Sequence, residues 1–147
     1  MPSVTIRKSV AHDWDALFAL VLDVERYPQF VPGCARVRVL GRHEPAPGRV
    51  AIDSRMTVGA LPLQFSYANR TDADRPARRI AVVSTDGPLR HLHVTWRFEP
   101  RGRSRTEIGF AASYEFRNPI VAALASGALE RLFGQIVGAF ERRANRV

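Results

Sequence analysis

Apolar and polar residues alternate with period two over most of this chain and switch to helical spacing near each end. Val4, Ile6 and Lys8 alternate with Thr5, Arg7 and Ser9, which predicts a short first strand. Asp13 stands where a helix cap belongs, and Trp14, Leu17, Phe18, Val21 and Leu22 follow at the spacing of one apolar helix face. Pro28 and Pro32 break that pattern. The segment 23–34, DVERYPQFVPGC, reads as a second short helix or turn packed by Tyr27, Phe30 and Val31.

Turn signals then divide a long β region. They fall at Glu44-Pro45-Ala46-Pro47-Gly48, Gly59-Ala60-Leu61-Pro62, Asp72-Ala73-Asp74-Arg75-Pro76, Asp86-Gly87-Pro88 and Pro100-Arg101-Gly102-Arg103. Strands are predicted over residues 34–43, 48–58, 62–71, 78–85, 91–99 and 105–116. Their short links imply an antiparallel meander. Leu92, Val94, Trp96 and Phe98 share one face, opposite His91, His93, Thr95 and Arg97. Ile108, Phe110, Ala112, Tyr114 and Phe116 repeat the pattern. One sheet face is therefore apolar and needs a cover.

The C-terminal segment supplies the cover. Asn118 and Pro119 form a cap and first-turn pair, and a helix is predicted to about Arg143. Leu129, Leu132, Phe133, Ile136, Val137 and Phe140 make its apolar stripe. Before the stripe comes a run of small residues, Ala122 to Ala128, with Ser126 and Gly127. The expectation is an α+β domain: one strand, two short helices, six strands and a long helix.

Composition narrows the class. With 147 residues and 46% hydrophobic content, residues 1–147 are expected to form a single domain around one core without staples. Cys34 is the lone cysteine, so neither an internal disulfide nor a paired-cysteine metal site is expected. No stretch has the roughly 20 uninterrupted apolar residues of a membrane span. The N-terminus reads as a strand and not as a signal peptide. Work in the cytoplasm, or peripherally at the inner face of the plasma membrane, is expected. The net charge is +8, carried almost wholly by arginine, with Lys8 the one lysine. Such charge fits polyanions such as ribosomes or anionic lipid; arginine-rich usage also follows from genomic base composition.

Catalytic motifs are missing. There is no glycine-rich phosphate loop, HExxH or paired cysteine. His91 and His93 share the wet strand face and read as exposed residues, while His12 and His43 fall at element edges. Asp53, Glu99, Glu107 and Glu115 are expected to point outward, away from any buried reacting group. Asp23 and Glu25 read as caps or ion-pair partners, and Cys34 as a small packed residue. The aromatics sit mainly on the inner face, which leaves no stacking platform for nucleic acid. Arg101, Arg103 and Arg105 form a compact basic cluster, either a solvated hairpin tip or a contact for phosphate or headgroups.

Three segments carry a resemblance: DVERYPQFVPGC at 23–34, DGPLRHLHVTWRFEP at 86–100, and YEFRNPIVAALASGALERLFGQIVGAFERRA at 114–144. Together, over essentially the whole chain, they resemble the coenzyme Q-binding and ribosome-association toxin branch of the START-like (polyketide cyclase/dehydrase) superfamily. The resemblance implies a helix-grip fold, with a curved antiparallel sheet of about seven strands around the long helix. It also implies a lipid-sized cavity between the two. The expected lining is Phe65, Tyr67, Val94, Trp96, Phe98, Phe110, Ala112, Tyr114, Leu129, Phe133, Ile136, Val137 and Phe140; an ordinary packed core uses the same residues.

The function implied is non-catalytic binding of ubiquinone or a similar polyisoprenoid lipid, in support of respiratory electron transport. No catalytic cofactor is expected, only a quinone-like ligand, and Tyr67, Tyr114 or Trp96 are the donors for its head. A ribosome-binding regulator that blocks subunit association is the alternative, with a ribosome as partner. A cyclase-like enzyme is a second, needing inward polar groups such as Ser54, Tyr67, Asn69 and Tyr114.

Overall fold

A computed structural model describes residues 3–60 and 63–146. Strand β1 (Ser3–Val10) leads into helix α1 (Trp14–Leu22) and a 3-10 helix (Val24–Gln29). Six strands follow: β2 (Cys34–Ala46), β3 (Arg49–Ala60), β4 (Leu63–Asp74), β5 (Arg79–Ser84), β6 (Leu89–Pro100) and β7 (Thr106–Phe116). Helix α2 (Pro119–Ala144) closes the chain. The strands form one antiparallel sheet of seven, in the order β1-β7-β6-β5-β4-β3-β2.

The period-two pattern places the core. Leu92, Val94, Trp96 and Phe98 of β6 are buried, as are Ile108, Phe110, Ala112, Tyr114 and Phe116 of β7. Ile80, Trp96 and Phe110 lie opposite one another across three strands and make a continuous apolar row. The whole expected stripe of α2 is buried against this face. Asn118 caps α2, accepting from Ile120 N at 2.7 Å and Val121 N at 3.4 Å. Asp13 occupies the cap position of α1, but its side chain makes no capping bond. Its carbonyl alone joins the helix, accepting from Leu17 N at 3.3 Å.

Several strands run past their expected ends. β2 continues through Glu44, Pro45 and Ala46 because it is an edge strand, where the missing proline N–H breaks no ladder. β4 continues through Asp72, Ala73 and Asp74. Ala73 points inward and is buried, while Asp72 and Asp74 pair with Arg70 and Arg49 at 3.4 Å each. The turn expected there is confined to the residues after Asp74. For the turn expected over 59–62, β3 and β4 pair up to Ala60 opposite Leu63; Leu61 and Pro62 lie outside the described residues.

The two halves of α2 differ. Buried residues begin only at Leu129. Before it, Ile120 and Leu124 are 72% and 58% exposed, one turn apart on the same side. An 18-residue window of α2 reaches a mean hydropathy of 1.4 with only 28% of it buried. By length and composition α2 therefore matches a membrane span, although Glu130 and Arg131 interrupt it and its second half packs on the sheet.

The β5–β6 connection is tied down at the end of the sheet where α2 begins. Arg117 donates to the carbonyls of Thr85 and Gly87, and Gly87 (φ +60°) sits so close that an added Cβ would lie 2.9 Å from Ser66 O. Asp86 accepts from Ala68 N at 2.8 Å and from Arg55 Nη1 at 3.4 Å. The Ala68 N–H, with help from Arg55, holds its carboxyl below the ordinary 3.8. A depressed value means stability present above the ordinary pKa and lost as pH falls through the folded one. Asp86→Asn is expected to lower the melting temperature at neutral pH and to flatten its decline below about pH 4, as read by thermal unfolding across pH.

Candidate functional site

Between the sheet and α2 lies a cavity of about 50 Å³. Its walls come from four strands and two helices: Tyr27 and Val31 from the 3-10 helix and the turn after it, Met56 from β3, Tyr67 and Asn69 from β4, Val82 from β5, Val94 and Trp96 from β6, and Leu132, Phe133 and Ile136 from α2. The lining is apolar apart from two phenols, one amide and one indole, and it carries no charged side chain.

The polar groups sit in a small patch. Met56 lies opposite Tyr67 and Ser54 opposite Asn69 in the β3–β4 register. Ser54 Oγ donates to Asn69 Oδ1 at 3.0 Å. Tyr67 Oη donates only to Met56 Sδ, at 3.4 Å, a weak acceptor. Tyr27 is committed elsewhere: its hydroxyl donates to Val21 O and ties the 3-10 helix to α1. Burial pushes the phenols of Tyr27 and Tyr67 well above the ordinary tyrosine range, so both remain protonated donors.

Five of the expected lining residues border the cavity: Tyr67, Val94, Trp96, Phe133 and Ile136. Phe98, Phe110, Ala112, Tyr114, Leu129, Val137 and Phe140 are buried in solid packing around it, and Phe65 is half-buried. The aromatics fill the space themselves. Trp96 packs on Phe110 and Phe140 with centroids 4.8 and 5.1 Å apart, and Phe133 packs on Phe110 and Tyr114 at 6.0 and 5.8 Å. The lipid-sized cavity expected here is therefore not present: apart from about 50 Å³, the space is filled by the side chains themselves. Of the expected head-group donors, Tyr67 and Trp96 reach the cavity and Tyr114 does not.

Val31, Met56 and Val82 were not among the expected lining. Val82 was accessible from alternation with Ile80 in β5; Met56 required the β3–β4 register, which no local pattern fixes.

The family described as polyketide cyclase / dehydrase and lipid transport matches residues 10–141. The chain belongs to this family. Among its relatives, the ribosome association toxin RatA of Escherichia coli K12 is 28% identical over all of this chain and 89% of its own length. The mitochondrial coenzyme Q-binding protein COQ10 homolog B of Xenopus laevis is 31% identical over 90% of this chain, which covers 54% of that protein. The Zhui aromatase/cyclase of Streptomyces superposes with a TM-score of 0.80 at 19% identity, covering 99% of this chain and 94% of that one. At that identity the likeness shows the fold, and the expected START-like helix grip is the fold observed.

The other groups considered for chemistry in this family member lie outside the cavity. Asp53 pairs with Arg70 at 3.6 Å, Glu99 with Arg101 at 3.3 Å, Glu115 with Arg90 at 3.2 Å and Asp23 with Arg26 at 3.8 Å. Glu107 pairs with Arg7 and Arg101. His93 and His43 are exposed, His91 half-buried, and His12 bonds Asn145 at 2.7 Å. Among the described residues no group of three or more metal-ligating side chains occurs. Cys34 is buried, and burial pushes its thiol up to about 12. At neutral pH the group is therefore a thiol and not the reactive thiolate. Iodoacetamide is expected to leave Cys34 untouched in the folded protein while labelling it fully in urea, as read by intact mass.

Arg101, Arg103 and Arg105 form the β6–β7 hairpin tip, at the end of the sheet opposite the start of α2. Arg101 is held by Glu99 and Glu107, and Arg105 donates to Ser9 Oγ at 3.0 Å. At the same end, Arg75 and Arg78 lie over the Trp14 ring at 5.5 and 5.6 Å, with Arg75 also paired to Asp15.

Proposed function

We propose that this protein is a non-catalytic carrier that holds a quinone or similar isoprenoid lipid between its sheet and α2. The observation that carries the proposal is the cavity itself: apolar, free of charge, and with its uncommitted hydrogen-bond donors on the sheet wall. The Xenopus relative named as coenzyme Q-binding supports the same ligand class. Without an acid–base pair or a nucleophile on the lining, the site offers binding and no covalent step.

At about 50 Å³ the cavity has room for only a few water molecules. A benzene-sized ring needs about 150 Å³, so loading requires α2 and the 3-10 helix to move apart. Met56 and the half-buried Phe30 are the adaptable side chains beside that seam. The exposed start of α2 is where the carrier meets the bilayer: Ile120 and Leu124 enter the headgroup layer, and the cavity opens along the same helix. Each methylene moved out of water contributes about 0.8 kcal/mol, so the tail is retained only where the wall stays dry. Organic extraction of the purified protein followed by mass spectrometry tests the proposal. A co-purifying quinone is expected; protein repeatedly empty from a quinone-producing host would refute it.

A second reading, ribosome binding, is favoured by the arginine-rich end and by the RatA relatives. It uses Arg75, Arg78, Arg101, Arg103 and Arg105, not the cavity. Sucrose gradients after overexpression are expected to show free subunits accumulating on this reading, and unchanged profiles would remove it.

A further inference from the structure

We infer that Tyr67 and Asn69 form a carbonyl-reading pair that makes the cavity select an oxidised quinone over its hydroquinone. The inference rests on the carrier reading above and specifies which form of the ligand that site takes.

Both side chains are buried, and both have hydrogen-bonding capacity left over. Asn69 is 7% exposed and lines the cavity. Its carbonyl oxygen already accepts from Ser54, which turns its amide NH₂ away from Ser54; no partner is found for that NH₂ among the described residues. Tyr67 is 2% exposed and spends its proton on a thioether. A buried donor without a proper acceptor is costly. Two of them, on alternate positions of one strand and facing one cavity, mark a place where a ligand oxygen completes the bonding.

The chemistry of that oxygen follows from what else is present. No arginine or lysine lines the cavity, so the oxygen is not anionic. The one strong acceptor of the patch, Asn69 Oδ1, already shares its lone pairs with Ser54. A quinone carbonyl accepts from both spare donors and brings no proton of its own, whereas a hydroquinone oxygen is a poorer acceptor and adds an O–H for which this wall offers only the Tyr67 hydroxyl oxygen and a shared Asn69 Oδ1. Trading Tyr67's bond to sulfur for one to a carbonyl also releases Met56, the side chain that must move to make room. The ring end of the ligand therefore lies against β3 and β4.

The test is calorimetric titration of the full chain with a two-isoprene ubiquinone, oxidised and then chemically reduced under anaerobic conditions. An aromatic hydrocarbon bearing the same tail serves as the carbonyl-free ligand. Wild type is expected to bind the oxidised form on the order of tenfold more tightly than the reduced. Tyr67→Phe and Asn69→Leu are each expected to bring that ratio towards one, and the hydrocarbon, which brings no oxygen, reports any change in the shape or polarity of the wall. Equal affinity for both redox forms in wild type, or an unchanged ratio in both variants, overturns the inference and leaves the carrier reading intact. Failure of wild type to bind either form overturns the carrier reading and this inference together. Should Asn69→Leu not fold, the infrared carbonyl band of the bound quinone decides: a downshift in wild type that shrinks in Tyr67→Phe supports the pair, and no downshift in wild type refutes it.

Discussion

Replacing Trp96 by alanine is expected to lower the unfolding free energy by about 3–5 kcal/mol. The indole is 2% exposed, stacks parallel to Phe98 at 6.1 Å, and meets Phe110 and Phe140 edge to face. Truncation removes the transfer energy of the ring and leaves a void that rigid aromatic neighbours fill poorly. For a domain of this size that loss takes up much of the total stability. Trp96 also borders the cavity, so the void joins it. A small aromatic guest is therefore expected to restore part of the lost stability in the variant and none in wild type. Urea unfolding with and without benzene measures both effects; a loss below about 1 kcal/mol would mean the aromatic cluster is not the keystone of the core.

The second large effect concerns affinity for a surface. Ile120→Glu combined with Leu124→Glu is expected to weaken binding to anionic lipid vesicles by at least about a hundredfold. Each of these side chains, fully transferred out of water, contributes about 1.5–3 kcal/mol, and two together span roughly two to four powers of ten in affinity. Both are exposed in the free protein, so stability is expected to change by no more than about 0.5 kcal/mol. Vesicle co-sedimentation and thermal unfolding separate the two quantities. Wild-type affinity in the double variant would remove the start of α2 from the docking surface.

Local pattern made most of the architecture readable. Strict alternation in β6 and β7 fixed which side chains face inward, and the run from Leu129 to Phe140 fixed the covered face of α2. Strand ends were less readable wherever charge or proline looked like a turn. Asp72 and Asp74 stay in strand because arginines sit beside them in the sheet, and Pro45 because nothing pairs with its edge. The site was legible only in part. Alternation marks a residue as inward-facing but does not tell a cavity wall from a filled core. That distinction depends on how the rings of Trp96, Phe133 and Phe140 interlock, which is three-dimensional information. Asn69 was visible as an inward polar residue; its spare NH₂ became evident only once Ser54 was found bonded to its oxygen.

The layout of the two ends sets a length. Strand β6 contains 12 residues, so the β6–β7 tip and the start of α2 stand about 40 Å apart. That is several times the roughly 8 Å over which charge acts in physiological salt. A molecule anchored through Ile120 and Leu124 would hold Arg103 beyond the reach of the headgroups, like a post carrying a charged knob. Salt would then loosen whatever grips the knob while leaving the anchor almost unaffected, and one molecule would span a bilayer and a large polyanion at once.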